Sequence, residues 1–134
     1  MKLRVGAFLA ISMISCMAPY EANRTDTMDI HVENQTGNDL QSVNVFVVQG
    51  KTVNGTYQQV RTDSSHLGTI ADAKTAKGTL SETMILPSDG GYLMTALEKS
   101  GKKRSYRFGY LTNGFFSETA QYITVKKDTI FVRH

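Results

Sequence analysis

The residues of this chain that could do chemistry are few and scattered. Asp63-Ser64-Ser65-His66 places an acid, two hydroxyls and an imidazole side by side, the residue types of a hydrolytic triad. Chain neighbours rarely reach the geometry in which a base takes a proton from a nucleophile, and no nucleophile-elbow pattern surrounds either serine. The stretch therefore reads as a solvated loop. The histidines are His31 in an alternating apolar segment, His66 in that polar stretch and His134 at the terminus. A metal site needs converging His, Cys or carboxylate ligands at recognisable spacing, and none occurs, so no metal is expected. Glu82, Asp89, Glu98, Glu118 and Asp128 lie apart in the chain, and only a fold could bring two of them to the separation that glycoside hydrolysis requires. No calcium-loop spacing and no phosphate-cradling glycine loop is present. The expectation is a protein that is not an enzyme and carries no cofactor.

The lone cysteine is placed differently. Lys2 and Arg4 are followed by an uncharged run from Val5 to Ser15 and then by Cys16, the layout of an export signal with a basic start and an apolar middle. That run is too short to span a bilayer, which takes roughly 20 apolar residues. Cutting after Ala18 would put Pro19 next, and cutting after Ala22 would leave Tyr20 where a small residue belongs. Cutting before Cys16 fits better.

Met13-Ile14-Ser15-Cys16 resembles the lipobox of bacterial lipoproteins, in which an aliphatic residue, a tolerant position and a small residue precede an obligatory cysteine. Met13 stands where leucine is usual. The resemblance implies that the Cys16 thiol becomes a diacylglycerol thioether, that residues 1–15 are removed, and that the new amine is acylated. With Met17 rather than Asp after the cysteine, it also implies outer-membrane sorting, with the protein lipid-anchored and facing the periplasm. Several acyl chains on one residue anchor firmly, where a single chain is marginal. The Val-rich segment after Leu40 and the Leu86-Pro87 turn are also similar in general terms to the transthyretin-like lipoproteins of type VI secretion, without a specific shared motif.

An acylated Cys16 leaves no thiol for disulfides or redox chemistry, so stability must come from packing. The remaining 119 of 134 residues suffice for one domain with a single core. The formal charge of +3 falls to about +1 when Lys2 and Arg4 leave with the signal. The sequence pI near 9.0 is therefore no argument for nucleic acid, and none is expected as a partner. Residues 16–27 include a proline and show no apolar period, and they read as a tether to a domain over 28–134.

Within that domain the pattern has period two. Ile30 and Val32 alternate with polar residues, and Val43, Val45 and Val47 share a face while Phe46 and Val48 take the other, which suggests a central strand. Asn54-Gly55 marks a turn before a strand over 57–61, and Thr62 to Ser65 punctuates. Residues 67–78 read as loop or a single helical turn. Strands follow over 79–86, stopped by Pro87, then 92–98, 104–112, 115–125 and 129–133, the last pair a hairpin around Lys126-Lys127-Asp128. Seven to nine short strands and no long helix predict an all-β antiparallel sandwich.

Two segments could serve recognition. Lys99, Lys102, Lys103, Arg104 and Arg107 gather around a hairpin turn and could meet an anionic partner, or else protect strand edges from aggregation. The aromatic-rich stretch that follows cannot bury every ring on one face, so Tyr110, Phe115 or Phe116 could rim a site. Sequons at Asn23, Asn34 and Asn54 would matter only in a eukaryotic secretory pathway, which the lipobox argues against. The combined reading is a tethered envelope β domain that binds another protein, as assembly partner of an envelope or secretion complex. The alternative is a periplasmic inhibitor or immunity protein whose loops plug a toxin or hydrolase.

Overall fold

A computed structural model describes residues 26–134, so the signal segment, Cys16 and most of the tether lie outside the described residues. Eight strands run β1 Thr27–Gln35, β2 Leu40–Val53, β3 Thr56–Ile70, β4 Thr75–Ser81, β5 Gly90–Glu98, β6 Lys103–Leu111, β7 Ala120–Lys126 and β8 Ile130–Arg133. A one-turn 3-10 helix, Glu82–Met84, interrupts them between β4 and β5. They form two four-stranded sheets, ordered β4-β1-β7-β8 and β3-β2-β5-β6, packed face to face as a β-sandwich. Thr27 already pairs with Ser81, and the Asp26 carbonyl accepts the Glu82 amide at 2.8 Å, so the domain begins within the last residues of the expected tether.

Alternation sets the core. Met28, Ile30 and Val32 of β1 face Val43, Val45 and Val47 of β2, with Met94 and Leu111 beside them, all fully buried. Each such side chain contributes about 1.5–3 kcal/mol when taken from water. At the end of β1 the inward series ends on Asn34, which stays buried because its amide is satisfied. It donates to the Asn38 and Ile70 carbonyls at 2.7 and 2.9 Å and accepts from the Thr36 amide and hydroxyl. A buried Asn34 holding a turn is no acceptor for a glycan.

All pairings are antiparallel except one: β1 and β7 run parallel, Asp29 opposite Ala120 through Gln35 opposite Lys126. Two further segments depart from the sequence reading. Thr62 to Ser65 does not punctuate but lies mid-strand in β3, and residues 67–78 hold the end of β3, a tight turn and the start of β4. Polar residues face inward there because β3 meets the edge of β4. Asp63 Oδ2 accepts the Ser81 amide at 2.7 Å, and Ser65 Oγ accepts the Thr79 amide at 3.2 Å. Gly78 makes room, since a Cβ there would lie 2.0 Å from Ser65 Oγ. The strand expected over 79–86 ends at Ser81, and the one expected from 115 starts at Ala120.

Candidate functional site

The turn between β5 and β6 was expected to offer five cations, and the structure divides them. Arg104 faces inward and is only 7% exposed. Its guanidinium pairs with Glu98, donates to Tyr106 Oη at 2.9 Å, and reaches the Lys126 and Lys127 carbonyls at 3.1 and 2.8 Å. Burial works against the Arg104 charge, and the bonds to Glu98 and Tyr106 outweigh it and raise its pKa. Glu98 in turn is held below the ordinary carboxylate range by its hydrogen bond from Arg104. Arg104 is therefore a structural staple between the sheets, not a partner-facing charge.

That staple has a consequence on the surface. It draws the β7–β8 turn against the β5–β6 turn, so exposed Lys126 and Lys127 join exposed Lys99, Lys102 and Lys103 at one end of the sandwich. Asp128 shares this end, while Asp39 and Asp72 accept the Asp72 and Gly37 amides in neighbouring turns. The sequence reading missed Lys126 and Lys127 because they lie in a different hairpin. Because β1 and β7 are parallel, Gln35 meets Lys126 at this end while Thr27, where the chain enters, is at the other. A nine-residue strand at about 3.3 Å per residue puts the two ends roughly 30 Å apart.

Arg107, Tyr110, Phe115 and Phe116 also part company. Phe116 is fully buried and belongs to the core, so it rims nothing. Its inward position follows from the Asn113-Gly114 turn, which bridges Thr112 to Phe115 with both central residues at positive φ. Phe115 is 39% exposed. Arg107 and Tyr110 stand on the outer face of β6, where they meet groups that the sequence did not single out.

Those groups line an open hollow of about 450 Å3 at the chain-entry end of the β3-β2-β5-β6 sheet. Its floor is Val48 with Gly50, Gly91 and Gly109, and its rim is Tyr57, Gln59, Asp89, Arg107 and Tyr110. The far wall exists because the β2–β3 hairpin runs past β5, which pairs with β2 only as far as Gln49. Tyr57 lies against the Gly50 backbone, where a Cβ would sit 2.5 Å from the ring. Arg107 reaches across the sheet to Gln59 Oε1 at 2.8 Å. Asp89 accepts the Tyr110 hydroxyl at 3.0 Å and the Asn113 amide at 2.9 Å. The Asn113 amide and Tyr110 hydroxyl lower the Asp89 pKa, and Asp89 raises that of Tyr110. The available signal was glycine inside strand patterns, which marks a close approach of another group.

The polar stretch around His66 comes closer to a relay than chain proximity suggested. Asn44 Nδ2 donates to the Ser42 carbonyl at 2.7 Å, so its Oδ1 is the atom turned to His66 Nδ1. His66 Nε2 then faces Ser64 Oγ at 3.4 Å. Asp63 takes no part, being on the opposite face. The trio lies on an exposed sheet surface, and the Ser64 amide donates to Asp63 Oδ1 at 2.8 Å, which removes the nearest oxyanion donor. His31 stacks on Tyr122, ring centroids 4.6 Å apart, on an interior strand of its sheet rather than at an edge. Among the described residues no group of three or more His, Cys, Asp or Glu converges as metal ligands.

The fold and these surfaces define a two-sheet β-sandwich with a cationic end and an open hollow. No protein-family model and no curated protein matches the chain. A solved NMR structure of a protein from Eubacterium rectale is similar at 15% identity and a TM-score of 0.48, over 81% of this chain and 89% of that one.

Proposed function

We propose that the protein is a lipid-anchored lipoprotein of the bacterial outer membrane, held through Cys16 and facing the periplasm, that works as a binding module for another envelope protein rather than as an enzyme. Its partner docks an acidic face on the lysine-rich end formed by Lys99, Lys102, Lys103, Lys126 and Lys127, as an accessory or assembly partner would.

The observation that carries the reading is the placement of that end. Five exposed lysines from two turns meet roughly 30 Å from the point where the chain enters the domain. The described chain enters the domain at Thr27, and the lysines stand at the end of β1 farthest from that entry. An excess of lysines over the aspartates at this end steers an acidic partner and gives an association that weakens with salt, the Debye length being about 10 Å at 0.1 M.

The test is affinity capture from envelope extract with the anchored protein, comparing the native chain with Lys102→Ser/Lys103→Ser/Lys127→Ser. One stoichiometric partner, lost in the variant and released by salt, supports the reading. Equal capture by both proteins removes the lysine end from it.

A further inference from the structure

The hollow at the chain-entry end lies away from the lysines and has its own chemistry. Gly50, Gly91 and Gly109 bring bare backbone to its floor on three adjacent strands, beside Val48. Their own neighbours require glycine at each position. A Cβ at Gly50 would strike the Tyr57 ring, one at Gly109 would lie 2.6 Å from the Tyr92 ring, and one at Gly91 would press the Gly109 carbonyl at 3.0 Å.

Above that floor stand two flat apolar surfaces with polar tips. Tyr57 is 68% and Tyr110 60% exposed, a high value for aromatic side chains. Neither ring is loose: Tyr57 rests on the Gly50 backbone, and the Tyr110 hydroxyl is held by Asp89. Between them the polar groups are of both signs. Asp89 and Gln59 offer carbonyl and carboxylate oxygens that accept hydrogen bonds, and Arg107 offers guanidinium N–H groups that donate. One negative and one positive charge in the same open hollow leave little net field to select an ion. A polyanion would meet Asp89, and a polycation would meet Arg107.

A ligand that fits must present a flat apolar face to a phenol ring and, around its edge, groups that both donate and accept hydrogen bonds, while carrying no charge. A hexose ring has that form, with C–H bonds on its face and hydroxyls on its rim. The volume of about 450 Å3 is toward the small end of the usual range for ligand sites, roughly 300–1,000 Å3. We propose that this hollow binds a neutral saccharide, its ring laid on Tyr57 or Tyr110 and its hydroxyls bonded to Asp89, Gln59 and Arg107.

This inference goes beyond the protein-docking reading and uses none of its lysines. Because the hollow is open and the ligand keeps part of its hydration, binding is weak, with Kd about 1 mM. The test titrates the detergent-solubilised full chain with cellobiose and with N,N′-diacetylchitobiose, followed by calorimetry and by the NMR signals of the Tyr57 and Tyr110 rings. Saturable shifts of those rings and of the Gly50, Gly91 and Gly109 amides are expected. Tyr57→Ala should weaken binding about tenfold, an effect at the upper end for a lost aromatic contact. Lys102→Ser/Lys103→Ser should leave it unchanged, which separates this site from the cationic end. Tyr57 is exposed, so its variant should fold, and Asp89→Asn serves as a second variant that keeps the side-chain shape. No saturable shift at about 50 mM sugar, well above that Kd, overturns the proposal. So does sugar binding indifferent to Tyr57→Ala, or clear preference for glucuronate, glucosamine or a nucleoside over the neutral disaccharides.

Discussion

Arg104 and Glu98 form an ion pair across the β5–β6 hairpin, their side chains 5% and 14% exposed, directly beneath the lysine turn. The same guanidinium donates to two carbonyls of the β7–β8 hairpin, in the opposite sheet and its turn. One residue thus closes a hairpin, joins two sheets and sets the spacing of the surface lysines.

Arg104→Met should therefore lower the melting temperature by roughly 10 °C, because it strands Glu98 and two carbonyls together. Arg104→Lys should lower it less, keeping the charge but losing the fork that reaches several acceptors at once. Thermal unfolding by circular dichroism measures both. If Arg104 were a surface partner contact, neither change would move the transition.

Stability should fall with acid in a defined direction. Glu98 is held low by the hydrogen bond from Arg104, Asp29 by that from Lys77, and Asp89 by the Asn113 amide. A carboxyl whose folded pKa is depressed contributes stability that is complete above its unfolded value, about 3.9–4.3, and is lost as pH falls through the folded value. The urea midpoint should be flat above that range and drop below it. In Arg104→Met the drop should be shallower, since Glu98 loses the hydrogen bond that does most to lower its pKa.

The Tyr110 phenol should titrate above its ordinary pKa of about 10, because ionising it removes the hydrogen bond to Asp89 and sets two negative charges together. Assigned ring signals followed against pH measure this. Asp89→Asn should bring the midpoint back toward the ordinary value, and an unmoved midpoint would dissociate the two residues.

Gly114→Ala should destabilise far more than Gly55→Ala. Both glycines have positive φ, at 76° and 77°, but a Cβ at Gly114 would sit 2.1 Å from the Leu86 carbonyl oxygen while one at Gly55 meets nothing. The left-handed strain of alanine is about 1–2 kcal/mol in either place, and the clash adds to it only at Gly114. Chemical denaturation of the two variants checks the difference.

Cys16→Ser should leave the precursor unlipidated and release the protein from the outer membrane. Fractionation with a lipid label reads both, and normal outer-membrane recovery of the variant would defeat the anchor.

Much of the fold was legible because apolar alternation reports which face of a strand is buried. Ile30 and Val32 and Val43, Val45 and Val47 of β2 sit inward as their spacing predicts, and the Asn54-Gly55 and Asn113-Gly114 pairs turn the chain where they stand. Alternation reports apolar faces only. It failed at Asp63 and Ser65, which face inward toward polar backbone at the edge of β4. It also carries no information on partner direction, so the parallel β1–β7 pair was invisible.

The chain by itself determined the local terms: strand faces and turn positions. Tertiary structure decided which charges and rings are available. It buried Arg104 and Phe116, brought Lys126 and Lys127 beside Lys99, Lys102 and Lys103, and set Tyr57 and Asp89 around a floor of glycines with Arg107 and Tyr110. Exposure and proximity depend on which strands pair and which turns share an end of the sandwich. Those are relations between segments far apart in the chain, and no local pattern encodes them.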